Sequence, residues 1–299
     1  MKVSILIVTY QSQDEISQCI NSIYKNIKDT DFEIIIIDNA STDNTIKIVK
    51  DNFSDVILIE NKKNKGYAYA NNKGTSLAKG DFLFFINPDS IIIENTISVL
   101  LSIINSNNEN GIVAPKIKNI NGSTQFSAGG IPTIPAMLFE AFGLYLFFPN
   151  TLFGYRNALS IKSDVNVGWV TGACFMIKKQ FFQNLNGFDE NYFLYLEDTD
   201  LCLRMNNELK KNIIYTPKTS VIHMKGKSSK NDSYISKLSS YRSKLYYHKK
   251  HNGQIVYFAL FPVLYIAILF KLVTLIILMR DKEQIKSQFK VLYKIFTAQ

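Results

Sequence analysis

Short apolar runs alternate with amphipathic segments along the first hundred residues of the chain. Asp14–Ile27 spaces its isoleucines three or four positions apart, which predicts a helix, and Tyr67–Ala78 predicts another. Ser41 or Thr42 is expected to cap the helix between these two. The apolar runs predict strands buried on both faces of a sheet, at Val3–Val8, Glu33–Ile37, Val56–Ile59 and Phe82–Ile86. This alternation predicts an α/β fold with a mainly parallel sheet and right-handed crossovers.

Beyond residue 110 the alternation weakens. Gly122–Pro135 is rich in Gly, Ser and Pro and predicts a loop, and the aromatic segment Met137–Phe148 predicts a helix that lines a pocket. The remaining predicted elements are strands at Val170–Ile177, Ile213–Tyr215 and Ser220–His223 and a helix at Leu201–Leu209.

The C-terminal part of the chain has a different pattern. Lys225–Lys250 carries eight Lys or Arg against one acid, and 25 largely apolar residues then run from Ile255 to Met279, interrupted by Lys271. That length can span a bilayer. Basic residues flank both ends, and Lys282–Phe296 is again basic and amphipathic, so a helical hairpin entering one leaflet suits the pattern better than a single span. The alternative is a helical pair packed on the rest of the protein.

The composition describes a globular chain with a basic surface. Of 299 residues 46 % are hydrophobic, which excludes a disordered chain. The net charge of +9 suits a nucleotide, an anionic membrane or nucleic acid without choosing among them. Cys19, Cys174 and Cys202 lie far apart, a pattern typical of a reducing compartment. The apolar run at the N-terminus is too short for a signal peptide.

Polar residues follow three of the predicted strands where each strand ends. They are Thr9-Tyr10, Asp38-Asn39 and Asn87-Pro88-Asp89. Ligands of parallel sheets bind beyond the carboxyl ends of the strands, so we expect these side chains to share one site. There Tyr10 can stack on a base, Asp38 can bind a base or ribose, and Asp89 can hold a divalent cation against a diphosphate. Each pair taken alone is also ordinary turn chemistry.

One further segment offers groups for a nucleotide. No Walker or dinucleotide phosphate loop is present, but Gly66 opens the helix at Tyr67 and lets the backbone approach a ligand. Asn71, in the first turns of that helix, can hydrogen-bond the nucleotide. A plain helix start explains the same residues equally well.

Three acids in four residues stand before the helix predicted at Leu201–Leu209. Asp198, in the sequence Glu197-Asp198-Thr199-Asp200, is expected to be ionised because the helix dipole lowers its pKa, and it can then accept a proton from a hydroxyl. Helix capping is an equally good interpretation of the segment. His223 is a further candidate metal ligand, if a carboxylate and a diphosphate lie beside it.

Seven segments, in this order, resemble the family 2 inverting glycosyltransferases, most closely the bacterial rhamnosyltransferase-like branch that builds surface polysaccharides. The resemblance runs from about Val3 to about Lys249. It implies a GT-A fold with a Rossmann-like sheet flanked by helices, a nucleotide-sugar donor and a divalent cation, Mg²⁺ or Mn²⁺. The segments are VSILIVTY, IIIIDNASTDNT, NKGYAYANNKG, FLFFINPDS, TGACFMIKKQFF, GFDENYFLYLEDTDLCLR and VIHMKG.

The resemblance also implies roles for individual residues. Asp198 corresponds to the catalytic base, with Glu197 beside it, and Asp89 and His223 correspond to residues at the metal and the donor diphosphate. Asn87 replaces the first acid of the D-x-D motif, which is expected to weaken metal binding without abolishing activity. The residues implied to bind the nucleotide-sugar are Thr9, Tyr10, Asp38, Asn39, Gly66, Asn71, Asn87 and, with Lys244, Arg242.

The expected activity is inverting transfer of a sugar to a hydroxyl of a glycan or lipid-linked acceptor, with dTDP-rhamnose as the first choice of donor. We expect residues 1–110 to bind the nucleotide-sugar, 111–250 to bind the acceptor and carry the catalytic base, and 251–299 to associate with the cytoplasmic face of the membrane. The alternatives are a sugar nucleotidyltransferase, disfavoured by Gln11–Asp14 after the first strand, and a non-catalytic nucleotide-sugar-binding protein. Nucleic acid is not an expected partner, because the basic residues cluster beside the apolar tail.

Overall fold

The computed structural model describes residues 2–142, 161–224, 233–277 and 282–295. These residues form two compact units, and the predicted three-part division of the chain stays a prediction. The first unit takes its described residues from Met1–Ile131, Arg156–Asn191 and Glu197–Ser228, and the second takes them from Pro132–Tyr155, Tyr192–Leu196 and Ser229–Gln299.

A nine-stranded sheet forms the centre of the first unit, in the order β3-β2-β1-β4-β10-β6-β11-β5 with β8 paired to β11. The first four strands in this order are mutually parallel, β6 and β11 are parallel to each other, and β5, β8 and β10 pair antiparallel to their neighbours. Strands β7 and β9 form a separate pair. The strands are β1 (Lys2–Thr9), β2 (Asp31–Asp38), β3 (Ile57–Glu60), β4 (Phe82–Ile86), β5 (Ser90–Ile92), β6 (Asn110–Lys118), β7 (Ala128–Gly129), β8 (Val165–Asn166), β9 (Trp169–Val170), β10 (Cys174–Lys178) and β11 (Asn212–His223).

Helices cover both faces of this sheet, which explains why its strands are apolar throughout. In β1, Ile5 and Ile7 belong to one apolar cluster, and Leu6 and Val8 belong to the cluster on the other face. The three cysteines are buried and free, as a reducing compartment requires. The helices of this unit are α1 (Ile16–Asn26), α2 (Thr45–Asn52), α3 (Tyr67–Thr75), α4 (Thr96–Ser106), α6 (Lys179–Asn184) and α7 (Glu197–Leu209).

Several predicted boundaries are wrong for local reasons. Neither Ser41 nor Thr42 caps α2, because the helix begins at Thr45 after Asn44, and the Ser41 hydroxyl donates to Asp38 instead. The strand predicted at Val170–Ile177 is split into β9 and β10 by a turn at residues 171–173. The two short strands predicted after residue 212 are one strand with a register shift between Thr216 and Ser220.

The second unit is helical, and its core joins α5 (Ile134–Ala141) to three C-terminal helices through Met137. The helix predicted at Met137–Phe148 therefore begins earlier, and its part beyond residue 142 lies outside the described residues. The C-terminal helices are α8 (Ser233–Asn252), α9 (Gln254–Ile277) and α10 (Lys282–Lys294). Helix α9 has a mean hydropathy of 2.5 over its most apolar window, of which 28 % is buried, and by length and composition it can cross a membrane.

Candidate active site

The ends of β1 and β2 meet side by side, because Thr9 pairs with Asp38 in the parallel register. Both side chains are buried, and the Thr9 hydroxyl donates to Asp38 Oδ1 at 2.9 Å. The Ser41 amide donates to Asp38 Oδ2 at 2.8 Å. The carboxylate thus has a fixed orientation at the carboxyl edge of the sheet, while the adjoining Tyr10 is half-buried.

A chain of amides connects this edge to the start of α3. Asn39 Nδ2 donates to the carbonyl of Gly66 at 3.1 Å, and Asn39 Oδ1 accepts from Asn61 at 2.9 Å. Gly66 has a φ of 91°, a conformation that favours glycine, and it holds the position before Tyr67. Asn71 is buried and its Oδ1 has no hydrogen-bond partner among the described residues. An orphaned carbonyl oxygen at this place can accept a hydrogen bond from a ligand.

Asp89, Asn87 and His223 come together as the sequence predicts. The end of β4 carries Asn87 and Asp89, and β11 ends at His223. His223 Nε2 lies 3.2 Å from Asp89 Oδ1 and 3.4 Å from Asn87 Nδ2. The side chains of Asp89 and Asn87 therefore both lie within contact distance of one ring nitrogen of His223.

Gln125, which sequence reasoning missed, sets the tautomer of His223. Its Oε1 lies 3.1 Å from His223 Nδ1, while its Nε2 donates to the His223 carbonyl at 2.6 Å. With the amide oriented this way, Nδ1 carries the proton and the lone pair of Nε2 points toward Asp89. Two acceptors 3.2 Å apart repel each other unless a proton or a cation lies between them.

The pair formed by Asp89 and His223 therefore fits a divalent cation, although it is an incomplete ligand set. Within residues 2–142, 161–224, 233–277 and 282–295 no group of three or more His, Cys, Asp or Glu side chains is placed to share a metal ion. Asn87 turns its Nδ2 toward His223 Nε2, so its amide oxygen can supply a third ligand once the side-chain amide rotates, and a bound diphosphate can complete the set.

Asp198 stands in the first turn of α7, which begins at Glu197, earlier than predicted. Its Oδ2 accepts from the Gly172 amide at 2.6 Å, and its Oδ1 accepts from the Thr199 amide at 2.6 Å. Gly172 is fixed in turn, because its carbonyl accepts from the hydroxyl of Tyr67 at 2.8 Å. Tyr67 and Gly172 lie in segments that carry the family resemblance, but neither was predicted as a site residue.

The expectation of a low pKa for Asp198 is wrong. Burial raises the pKa of its carboxyl above the ordinary value, and the hydrogen bonds from Gly172 and Thr199 offset only part of this effect. Burial and the neighbouring Asp198 raise the pKa of Glu197 well above its ordinary value. Helix α7 supplies dipole and amide groups as expected, but the loss of water outweighs them. A carboxylate with a raised pKa is a stronger base once it is ionised.

Asp200 has a structural role, unlike its two neighbours. It is buried, and Arg204 Nε donates to its Oδ2 at 2.7 Å from the next turn of α7. The same guanidinium donates to the carbonyls of Leu185 and Gly187. The ion pair therefore anchors α7 to the segment before it, so the three acids divide into a candidate base, its buried neighbour and an anchor.

The turn at residues 171–173 joins the two halves of the site. The backbone N–H of Asn87 donates to the Ala173 carbonyl at 3.0 Å, and the backbone N–H of Gly172 donates to Asp198. Through Tyr67 the same turn is connected to α3. The structure thus links Asp198, Asn87 and α3 within the first unit. Arg242 lies in the second unit, where it donates to the Lys294 carbonyl at 2.8 Å, and its predicted role at the donor stays a prediction.

Known proteins resemble this chain in sequence and in fold. An N-acetylglucosaminyl-diphospho-decaprenol L-rhamnosyltransferase of Mycobacterium tuberculosis is 29 % identical over 213 residues, which cover 67 % of this chain and 68 % of the relative. The rhamnosyltransferase WbbL of Escherichia coli is 24 % identical over 219 residues, which cover 68 % and 76 %. Both confirm the resemblance to the rhamnosyltransferase-like branch.

Solved structures confirm the GT-A-like fold. The crystal structure of S. aureus TarS 1-349 superposes with a TM-score of 0.52 at 20 % identity, covering 80 % of this chain and 64 % of TarS 1-349, so this chain spans less than two thirds of that structure. A second, in complex with UDP, superposes with a TM-score of 0.54 at 16 % identity, covering 99 % and 70 %. The family model of Glycosyl transferase family 2 matches residues 4–185, which is more than half of the chain, and the protein therefore belongs to glycosyl transferase family 2.

Proposed function

We propose that this glycosyltransferase moves a sugar from a nucleoside diphosphate to an acceptor hydroxyl with inversion at the anomeric carbon. The observation that carries the proposal is the connected arrangement of Asp198, the turn at residues 171–173 and the cluster of Asn87, Asp89 and His223. This arrangement provides a base for the acceptor and a separate polar group for the departing diphosphate.

The donor nucleotide is proposed to bind along the carboxyl edge of the sheet. The fixed carboxylate of Asp38 accepts from the base or ribose, and Tyr10 stacks on the base. Thr9 holds the Asp38 carboxylate in place, and Asn39 connects this edge to Gly66 at the start of α3. The orphaned Oδ1 of Asn71 is proposed to accept from the donor. Arg242 is proposed to approach the diphosphate.

Asp198 is proposed to remove the proton from the acceptor hydroxyl. Its two carboxylate oxygens are oriented by the Gly172 and Thr199 amides, so the ionised group has a fixed direction. The hydroxyl oxygen attacks the anomeric carbon as the bond to the diphosphate oxygen breaks, and one displacement inverts the configuration. A positioned base typically contributes about 10²–10⁴-fold to the rate. Glu197 lies beside this base, and the ionised Asp198 raises the pKa of Glu197 through the repulsion between the two carboxylates.

Asp89, His223 and the amide oxygen of Asn87 are the residues that would hold Mg²⁺ or Mn²⁺. When bound, such an ion neutralises charge on the diphosphate. Gln125 orients the His223 ring for this role by engaging Nδ1.

The proposed donor is dTDP-rhamnose and the proposed acceptor is a lipid-linked sugar of a surface polysaccharide. The mycobacterial relative is an L-rhamnosyltransferase with a decaprenol-linked acceptor, which supports a rhamnosyl donor and a lipid-linked acceptor. Helix α9 is proposed to hold the enzyme at the cytoplasmic face of the membrane, where it meets a membrane-bound acceptor by diffusion in two dimensions. The basic residues of α8 add attraction to an anionic surface, about 1 kcal/mol for each residue near it.

A panel of nucleotide-sugars tests the proposal. The full chain is incubated with each donor and a lipid-linked acceptor, with Mg²⁺, with Mn²⁺ or with a chelator, and release of the nucleoside diphosphate is measured. We expect one dTDP- or UDP-sugar to be consumed, with dTDP-rhamnose first, and expect the chelator to slow its consumption. Binding of a donor without any turnover would contradict the proposal.

A further inference from the structure

Helix α10 presents two adjacent exposed stripes of different chemistry. Lysines recur at every fourth position and all four are exposed, and Phe289 and Tyr293 beside them are 61 % and 72 % exposed. The opposite face holds α10 on the bundle, because Val291 and Ile295 are buried in its core. The lysines are Lys282, Lys286, Lys290 and Lys294.

The C-terminal halves of these stripes border a cavity of about 260 Å³, which is lined by Tyr234, Phe289, Lys290, Tyr293 and Lys294. Lys290 Nζ lies 5.9 Å from the centre of the Tyr234 ring, which α8 contributes. The Arg242 guanidinium donates to the Lys294 carbonyl at the end of α10, so the backbone at one side of the cavity is fixed. Three aromatic residues and two lysines therefore line one opening.

We propose that this cavity binds the phosphate headgroup of an anionic membrane phospholipid. Two ammonium groups complement a phosphate, and exposed aromatic rings beside them are typical of side chains placed at the headgroup level of a membrane. The volume lies below the ~300–1,000 Å³ of sites for drug-sized ligands, which suits a headgroup phosphate better than a nucleotide-sugar.

The exposed apolar surface of helix α9, in the same unit, favours a membrane lipid as the source of the phosphate. Helix α9 exposes large apolar side chains, among them Phe258 at 67 % and Phe270 at 59 %, in a helix with a mean hydropathy of 2.5. A headgroup held at α10 would add lipid selectivity to the apolar attraction of α9. The inference extends the membrane association proposed above and is independent of the identity of the donor sugar.

Binding to vesicles tests the site. The full chain is sedimented with vesicles of phosphatidylcholine alone and with vesicles that also contain phosphatidylglycerol, and the partition coefficients are compared. The wild-type protein is expected to bind the anionic vesicles more tightly. The variant K282Q/K286Q is the matched control, because it removes the same charge from the same helix away from the cavity, and it should lose no more than the roughly 30-fold that two lysines near an anionic surface contribute by diffuse attraction. The double variant K290Q/K294Q also loses the charge-assisted hydrogen bonds to the phosphate, so its loss should exceed that of the control by about tenfold or more.

Three results would overturn the site. Equal losses in the two double variants would show that only diffuse charge matters, and a wild-type protein indifferent to phosphatidylglycerol would show that no anionic headgroup is bound. Abolition of the gain by millimolar glycerol phosphate in the aqueous phase would assign the cavity to a free phosphate. Release of diphosphate from the donor, measured in detergent, should be unchanged in K290Q/K294Q, and a failure of that reaction in the wild-type protein would count against the proposed function alone.

Discussion

Replacing Asp198 by Asn distinguishes the contribution of this carboxylate to the rate from its contribution to stability. The amide keeps the size of the carboxylate, and its oxygen can still accept from either the Gly172 or the Thr199 amide, which now reach different oxygens at 2.6 Å each. Its NH₂ group must face the other amide, so one of the two hydrogen bonds is lost. We expect a loss of about 1–3 kcal/mol in the free energy of unfolding.

The effect on the rate should be larger than this structural cost. Without an ionisable carboxylate the variant cannot accept the proton of the acceptor, and we expect kcat to fall about 10²–10⁴-fold, or about 3–5.5 kcal/mol in the barrier. The donor should bind with unchanged affinity, since no donor group depends on Asp198 in the proposed arrangement. The assay is diphosphate release under acceptor saturation, with donor affinity measured by calorimetry.

The control is Asp55→Asn, the same chemical change at an exposed carboxylate that accepts from the Tyr24 hydroxyl at 2.6 Å. It should leave kcat unchanged. Turnover of Asp198→Asn within fivefold of the wild-type protein would refute the assignment and would leave Glu197 as the base, because Asp200 is engaged by Arg204.

Four further outcomes follow from the buried acids and the tail. Burial raises the pKa of Glu197 in the folded protein. The protonated group therefore favours folding below its ordinary pKa of 4.5, and this contribution is lost as the pH rises through the pKa of the folded state. In chemical denaturation at pH 7, Glu197→Gln should be more stable than the wild-type protein. The raised pKa of Asp198 comes from burial and not from Glu197, so the rise of kcat with pH should keep its position in Glu197→Gln, and a shift to lower pH would show that a charged Glu197 raises the pKa of Asp198. Arg204→Met leaves the buried Asp200 without its cation and should cost about 3–5 kcal/mol in urea unfolding, whereas a loss below 1 kcal/mol would show that the pair does not anchor α7. Deleting residues 255–299 should move the protein to the soluble fraction of a lysate, and persistent membrane binding would place the anchor elsewhere.

The sheet could be predicted from the sequence where the strands are parallel and covered on both faces. Phe82–Ile86 matches β4 residue for residue, because a wholly apolar run between turn residues has few other solutions. The antiparallel strand β10 could be recognised as a strand, but its place between β4 and β6 depends on pairings far apart in sequence. Helix α4 was not predicted, although its buried residues Ile97, Leu100, Leu101 and Ile104 recur at helical spacing.

The candidate site was predictable where its side chains stand at strand ends. Asp38 and Asp89 were found because turn residues interrupt apolar runs there. Gln125 and Gly172 could not be found, since each acts through a backbone or ring contact that depends on the folded chain. The direction of the Asp198 pKa was missed for a related reason: the helix start is visible in the sequence, whereas the degree of burial is not.

The configuration of the product tests the central claim most directly. The full chain is supplied with its donor sugar and a lipid-linked acceptor, and the anomeric configuration of the new glycosidic bond is determined by NMR. A single displacement assisted by Asp198 predicts a configuration opposite to that of the nucleotide-sugar. A product that retains the donor's configuration would contradict the account.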